Sequence, residues 1–195
     1  MNVITNFITE INGYKIFLRR EDLFGEGIKG NKFRKLKYNI LKVKTTKSNG
    51  LVTFGGAFSN HLYATALAGK IYGIKTYGVV RGVEWEKKIN ENPTLIKCIN
   101  FGMKLLFVSR KAYKIKNTYK FWSQINFSPD NLYIIPEGGT NSLAVKGTSE
   151  MIQKSDYFYD SLCCPVGTGG TIAGIIQGSG SNQKIIGFSS LNHKD

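Results

Sequence analysis

One lysine and three glycine-rich loops are the parts of this sequence that could do chemistry together. Lys32 follows a loop that contains Gly25, Gly27 and Gly30, and a helix-like pattern begins beside it at about Asn31. A positive charge at a helix N-terminus meets the positive end of the helix dipole. That position is poor for a purely structural lysine, but it suits an amine that must lose its proton to act as a nucleophile.

The alternative is that Lys32 is an ordinary surface charge without a catalytic role, in a chain with 27 lysines and arginines. The same predicted helix carries other lysines, and we interpret these as ordinary surface charges: Lys35, Lys37, Lys42 and Lys44.

The sharpest local motif is GTGGT at 167–171, between an apolar strand-like segment and a helix-like one. In that context backbone N–H groups and a helix N-terminus can face an anion. Gly169 and Gly170 allow a close approach, while Thr168 and Thr171 add hydroxyl donors. The motif is neither a P-loop nor a dinucleotide fingerprint, so it indicates a small phosphate group. A tight strand–helix turn without a ligand is the alternative.

Two further loops have the same design. GGAFSNH at 55–61 places Ser59 and Asn60 at a helix start, and PEGGTN at 136–141 follows another strand-like run. Both Ser59 and Asn60 are good N-caps, which is their structural interpretation. They gain weight as ligand-binding residues because ligands of open α/β sheets lie beyond the carboxyl ends of the strands.

These loops must be positioned by alternating strands and helices. Short connections between them predict an α/β fold with a parallel sheet. Strands are predicted at 14–18, 51–54, 75–81, 104–109, around 131–135, at 160–166 and at 184–190, and helices from about 31, at 61–72, after the N-cap pair Asn92–Pro93, at 144–153 and after the GTGGT loop.

The formal net charge of +14 could indicate a nucleic-acid surface. However, only five of the 27 basic residues are arginine, the better residue for bidentate phosphate and base contacts. No zinc finger, RNP motif or basic zipper is present, so we expect no nucleic-acid partner.

Membrane and metal functions also lack support. No apolar run approaches the ~20 residues that span a bilayer, and the N-terminus lacks the features of a signal peptide. We therefore expect a cytoplasmic protein with no membrane partner. Cys98, Cys163 and Cys164 show neither a zinc-ligand spacing nor an even disulfide set, so we expect buried free thiols and no metal.

Five segments together resemble pyridoxal-phosphate (PLP) enzymes of the tryptophan synthase β fold type, and within them the 1-aminocyclopropane-1-carboxylate (ACC) deaminase / D-cysteine desulfhydrase family. The segments occur in family order over nearly the whole chain. Any one would be a weak match, but five in order are specific to the family, though not to one substrate. They are REDLFGEGIKGNKFRKLKY (20–38), FGGAFSNHLYATA (54–66), FGMKLLFVSR (101–110), YIIPEGGTNSLAVKG (133–147) and CCPVGTGGTIAG (163–174).

The resemblance implies roles for single residues. Lys32 would hold PLP as an imine, and Asn60 would hydrogen-bond the 3-hydroxyl oxygen of the cofactor. Ser59 would contact the substrate carboxylate or assist proton transfer. The cofactor phosphate would be bound by Thr168, Gly169, Gly170 and Thr171. His61, beside Asn60, is interpreted as an ordinary first-turn histidine.

The resemblance also implies a two-lobed fold. Residues 1–45 and 136–195 would form a large PLP-binding domain, and residues 46–135 a small α/β domain. Family members are usually longer, so the C-terminal part of the large domain is expected to be missing here, together with the group that faces the pyridine nitrogen. A homo-oligomer, most simply a dimer, is expected.

The implied reaction acts on a small amino acid. ACC would give 2-oxobutyrate and ammonia, whereas D-cysteine would give pyruvate, sulfide and ammonia, and the sequence leaves both open. The alternative from another class is a catalytically impaired PLP-fold remnant or a non-enzymatic ligand-binding module.

Overall fold

The strands of this protein form three separate sheets in the computed structural model, which describes residues 3–25, 27–46 and 48–190. The first sheet is an antiparallel hairpin of β1 (Thr5–Ile11) and β2 (Tyr14–Arg19). Asn12 and Gly13 have φ values of 49° and 79°, as a type I′ Asn-Gly turn requires. The sequence pattern predicts β2 but not β1, which the Asn-Gly pair at 12–13 joins to β2 as a hairpin.

The central sheet is parallel, as the strand–helix alternation predicts, with the strand order β5-β4-β3-β6. Before it comes helix α1 (Gly30–Thr45), and α2 and α3 connect its first three strands. The elements are β3 (Gly50–Gly56), α2 (Asn60–Tyr72), β4 (Thr76–Arg81), α3 (Pro93–Asn100), β5 (Lys104–Val108) and β6 (Leu132–Ile135).

Two short helices, α4 (Arg110–Lys114) and α5 (Tyr119–Gln124), lie between β5 and β6. After β6 come α6 (Ser142–Ser149), β7 (Ser161–Val166), α7 (Gly170–Gly178) and β8 (Lys184–Ser189). Strands β7 and β8 pair in parallel as the third sheet. Helix α6 is shorter than the predicted 144–153, because it ends at Ser149 and residues 150–153 lead into a 3-10 segment at Lys154–Phe158.

The core lies on both faces of the central sheet. Leu51 packs with the apolar faces of α1 and α2, whereas Val52 and Phe54 pack with Phe121 and Trp122 of α5. All of β3 from Gly50 to Gly55 is buried, as expected for a strand covered on both faces. This burial holds the carboxyl ends of the strands, and the loops that follow them, at one edge of the sheet.

The four central strands all lie within the predicted small domain, at 46–135, and the division into two domains stays a prediction. Within the described residues no helix combines the length and apolarity needed to cross a bilayer. Cys98 and Cys164 are buried free thiols as predicted, but Cys163 is exposed, because its neighbour Cys164 occupies the buried face of β7 and successive side chains of a strand point to opposite faces.

Candidate functional site

The three glycine-rich loops meet at the short 3-10 turn Glu137–Gly139, directly after β6. A β-carbon on Gly138 would collide with the Thr168 side chain, and one on Gly139 would lie 2.7 Å from Cε1 of His61. Both glycines also have left-handed φ values, of 67° and 73°. Only glycine suits these two positions, so the turn can join the N-terminal ends of α2 and α7.

The Gly138 carbonyl oxygen faces two lysines of α1. The Lys35 amino group donates to it at 3.0 Å, and the Lys32 amino group approaches it at 3.5 Å. Lys35 also donates to Thr140 Oγ1 at 3.3 Å. The two lysines are three residues apart, which places them on one face of the helix.

Neither amino group forms an ion pair with an acidic residue in the described part of the chain. Burial lowers the pKa of Lys32, and burial together with the nearby Lys32 charge lowers the pKa of Lys35 to about 8. Arg34 on the same helix is different, because it pairs with the Glu21 carboxylate at 3.3 Å. The site therefore holds two amines that are discouraged from carrying charge.

The interpretation of Lys35 as a surface charge is wrong, since only 2% of the residue is exposed. A lysine so deeply buried is rare unless it is paired. The sequence did hold a signal: position 35 follows position 32 by one helical turn, so a functional Lys32 implies a neighbour at the same site. Lys37, Lys42 and Lys44 are exposed, as predicted.

The GTGGT loop closes the site from the other side. Gly169 has a φ of 82°, which turns the chain from β7 into α7. The Thr168 hydroxyl lies 2.6 Å from that of Thr140, and Asn31 Nδ2 donates to Thr171 Oγ1 at 3.1 Å. A β-carbon on Gly170 would lie 3.0 Å from the Lys35 amino nitrogen. The loop and the lysine pair therefore share one space.

Two helices that begin at this site, α1 and α7, lack side-chain caps at their N-termini. A side chain caps each of the helices α2 to α6, but none caps α1 or α7. The first N–H groups of a helix have no partner within it and carry its positive dipole end. An uncapped start beside two buried amines is well suited to bind an anion.

Ser59 is the N-cap of α2, which is the structural interpretation that the sequence allowed. Its hydroxyl oxygen accepts from the backbone N–H groups of His61 and Leu62 at 3.2 and 3.3 Å. The Ser59 proton is left free to donate. Asn60 is exposed, and its side chain makes no hydrogen bond to the described residues.

His61 is fully buried rather than an ordinary first-turn residue. Its Nε2 lies 2.9 Å from Thr53 Oγ1, which donates to the Ile135 carbonyl at 2.8 Å. Since the Thr53 proton is used there, Nε2 donates and Nδ1 has no proton. Burial, with the charges of Lys32 and Lys35, lowers the pKa of His61 well below its usual value.

The structure thus brings most of the predicted residues together. Lys32 and Thr168 both contact Gly138, and Gly170 adjoins Lys35. Ser59 and Asn60 directly precede His61, which contacts Gly139. Neither of them forms a direct hydrogen bond to Lys32. The residues that sequence analysis missed are Lys35, Asn31, Gly138 and Thr140. Chemically, the arrangement can hold a phosphate group beside a nucleophilic amine.

Comparison with known proteins finds a family match over nearly the whole chain. The family described as pyridoxal-phosphate dependent enzyme matches residues 5–191. A Thermotoga maritima protein, provisionally named a 1-aminocyclopropane-1-carboxylate deaminase, is 33% identical over 178 residues, which cover 88% of this chain and 56% of that protein. A bifunctional D-cysteine desulfhydrase/1-aminocyclopropane-1-carboxylate deaminase of Arabidopsis thaliana is 28% identical over 86% of this chain and 46% of its own.

Among solved structures, an ACC deaminase homologue superposes with a TM-score of 0.65 and 27% identity, over 85% of this chain and 51% of that one. Maize serine racemase shares the fold, with a TM-score of 0.63 and 20% identity over 90% of this chain and 51% of its own. The chain spans about half the length of the relatives it matches. The α/β fold is that of the tryptophan synthase β type, and the chain belongs to the family of pyridoxal-phosphate dependent enzymes.

Proposed function

We propose that the chain provides the cofactor-binding part of a PLP-dependent deaminase or desulfhydrase that acts on a small amino acid. ACC and D-cysteine are the candidate substrates. Relatives whose names carry these two activities support the proposal, at identities of 33% and 28%. We also propose that it functions as a homo-oligomer, most simply a dimer.

One observation carries the proposal. The amino groups of Lys35, which is buried, and of Lys32, which is half-buried, lie beside the uncapped start of α7, with no acidic partner in the described residues. Positive charge on these amines is costly without a counter-charge, so the protein gains from a bound anion. The dianionic phosphate of PLP would supply that negative charge. The aldehyde of PLP would then lie close to the Lys32 amino group.

The residues present fit the cofactor that the family implies. The backbone N–H groups of Gly169 and Gly170, the hydroxyls of Thr168 and Thr171 and the Lys35 amino group would hold the phosphate. Lys32 would be the attachment point, and Asn60 would hydrogen-bond the 3-hydroxyl oxygen. When bound, PLP supplies an electron sink for the bond broken at the substrate α-carbon.

The remaining steps fall to the protein. Burial lowers the pKa of Lys32, which favours the neutral amine, and a neutral amine can accept a proton and return it elsewhere on the substrate. The free proton of Ser59 can be donated to the substrate carboxylate while its oxygen still caps α2. His61 has no proton on Nδ1, so it positions the Gly139 turn rather than acting as an acid.

The attachment point can be tested by borohydride reduction of PLP-loaded protein and peptide mapping. We expect the pyridoxyl mass on Lys32 and not on Lys35, because Lys35 is engaged by two oxygen acceptors. A Lys37→Gln variant is the matched control and should be labelled like the parent. A label on Lys35, or no label on loaded protein, would contradict the proposal.

Turnover is then measured separately with ACC and with D-cysteine, following 2-oxobutyrate and sulfide. If the parent protein releases either product and the Lys32→Ala variant releases neither, the result supports the proposed enzymatic activity. Labelled protein that turns over neither substrate would instead support a PLP-binding module without this chemistry.

A further inference from the structure

A second pocket lies at the same edge of the central sheet, beyond the ends of β4 and β5. Its volume is about 480 Å³, and no residue of the proposed cofactor site lines it. Four of its side chains carry positive charge and one carries negative charge. The lining residues are Arg81, Arg110, Tyr113, Lys114, Lys116 and Glu137.

Arg81 and Lys114, both exposed, are the two cations of this pocket that form no ion pair with a described residue. Arg110 pairs with the Glu84 carboxylate at 2.6 Å, and Lys116 pairs with Glu137 at 3.1 Å. Arg81 makes no ion pair with any residue that the structure describes. Its guanidinium instead lies 5.6 Å from the centre of the Tyr113 ring, on which Lys116 also sits, at 4.6 Å.

Tyr113 gives a second, independent sign of a ligand. Only 3% of the residue is exposed, and its buried hydroxyl makes no hydrogen bond of good geometry. A buried hydroxyl that is so poorly paired is costly. Burial raises the pKa of Tyr113, and the charge of Glu137 and a weak hydrogen bond to that carboxylate raise it further. The hydroxyl therefore stays protonated and can donate to an acceptor in the pocket.

We propose that this pocket binds an anionic group, a carboxylate or a phosphate, through the Arg81 guanidinium and the Tyr113 hydroxyl. Planar guanidinium donors match both oxyanions. Lys114 and Lys116 add positive potential, and Glu137 remains neutralised by Lys116. One ligand would thus give Arg81 a counter-charge and the Tyr113 hydroxyl a better-placed acceptor than Glu137.

Two sources of that group are consistent with the position of the pocket. Arg81 and Arg110 also line a neighbouring pocket of about 360 Å³ that contains Ser59. A substrate held at Ser59 could therefore extend a second acid group to Arg81. This source rests on the proposed function. The other source is a free anion that occupies the pocket alone.

Inorganic phosphate is the first probe, titrated by calorimetry with and without saturating PLP. PLP should compete for phosphate at the GTGGT loop but not at this pocket. We expect Arg81→Gln to weaken phosphate binding in the presence of PLP by about tenfold or more, and Tyr113→Phe by about fivefold to tenfold.

Lys104→Gln is the matched control, because Lys104 begins β5 at the opposite edge of the same sheet and is exposed. It should leave phosphate binding unchanged. The proposal is overturned if Arg81→Gln binds phosphate as the parent does, or if the parent binds none. If PLP itself fails to bind, the proposed function fails, but the comparison of Arg81→Gln with Lys104→Gln still decides this pocket.

The second probe separates the two sources in PLP-loaded protein. Binding of D-aspartate and of D-alanine is read from the absorbance of the cofactor. If Arg81→Gln weakens D-aspartate binding about tenfold but leaves D-alanine unchanged, the pocket receives a second acid group of the substrate. If both amino acids bind the variant as they bind the parent, the ligand is a free anion.

Discussion

The amino groups of Lys32 and Lys35 converge on one carbonyl oxygen, that of Gly138, at 3.5 and 3.0 Å. The carbonyl belongs to the turn that also contacts the GTGGT loop and α2. One short turn therefore fixes the relative positions of a candidate nucleophile, a candidate phosphate ligand and two helix N-termini. The following predictions separate these roles.

Replacing Lys32 and replacing Lys35 should affect PLP binding in different ways. Lys35→Gln should lower PLP affinity by about tenfold to a hundredfold, because one charge-assisted hydrogen bond is lost, yet keep the imine absorbance. Lys32→Ala should remove that absorbance while PLP still binds. Calorimetry and absorbance on the same samples measure both effects, and Lys37→Gln serves as the control. Equal loss of the imine in both variants would contradict the division of roles.

Substitution of Gly170 should mainly weaken PLP binding, whereas substitution of Gly169 should mainly lower stability. A β-carbon on Gly170 would lie 2.7 Å from Thr140 Oγ1 and 3.0 Å from the Lys35 nitrogen, so Gly170→Ala should weaken PLP binding about tenfold or more. Gly169 has open space but a φ of 82°, so Gly169→Ala should cost about 1–2 kcal/mol of stability. PLP titration and denaturant unfolding measure the two. Normal PLP affinity in Gly170→Ala would show that the loop does not face the cofactor.

Position 139 should not accommodate a side chain, because His61 lies against it. In Gly139→Ala the new β-carbon would lie 2.7 Å from His61 Cε1, in addition to the strain of a φ of 73°. Gly73→Ala has a comparable φ of 65° but nothing within 4 Å, so it carries the strain alone. We expect Gly139→Ala to be less stable than Gly73→Ala by about 1–3 kcal/mol in urea unfolding. Equal losses would mean that His61 does not constrain the turn.

Relative to a Lys35→Met variant, the cofactor-free protein should become more stable as the pH rises above 8, although Cys98, whose pKa burial raises to about 12, acts in the opposite direction in both proteins. The pKa of Lys35 is about 8 in the folded protein and about 10.5 when unfolded, so between these values the unfolded chain binds more protons. The free energy of unfolding then increases with pH, by about 1–2 kcal/mol after allowance for solvent screening. Urea unfolding at pH 7.5 and 10 measures it. Lys35→Met should lack this increase, and an unchanged slope would rule out Lys35 as its source.

Much of the fold follows from local signals. The buried run of β3, the Asn92–Pro93 start of α3 and the glycine loop before α7 are all visible in the sequence, because strand burial, caps and turns depend on neighbouring residues. The end of α6 and strand β1 were not predicted correctly. A strand as exposed as β1 has little periodicity of its own, since pairing with β2 rather than burial holds it in place.

By itself the sequence determined the family, the parallel α/β arrangement and the short motifs that carry Lys32, Asn60 and the GTGGT loop. Only the tertiary structure decided which distant groups meet: Lys35 with Gly138, Asn31 with Thr171, and Arg81 with Tyr113. These pairs join residues far apart in the chain, and their partners are chosen by how helices pack on the sheet. Burial of a lysine or a tyrosine hydroxyl is likewise set by that packing: the spacing of Lys32 and Lys35 indicates a shared helix face, but not that the face is buried.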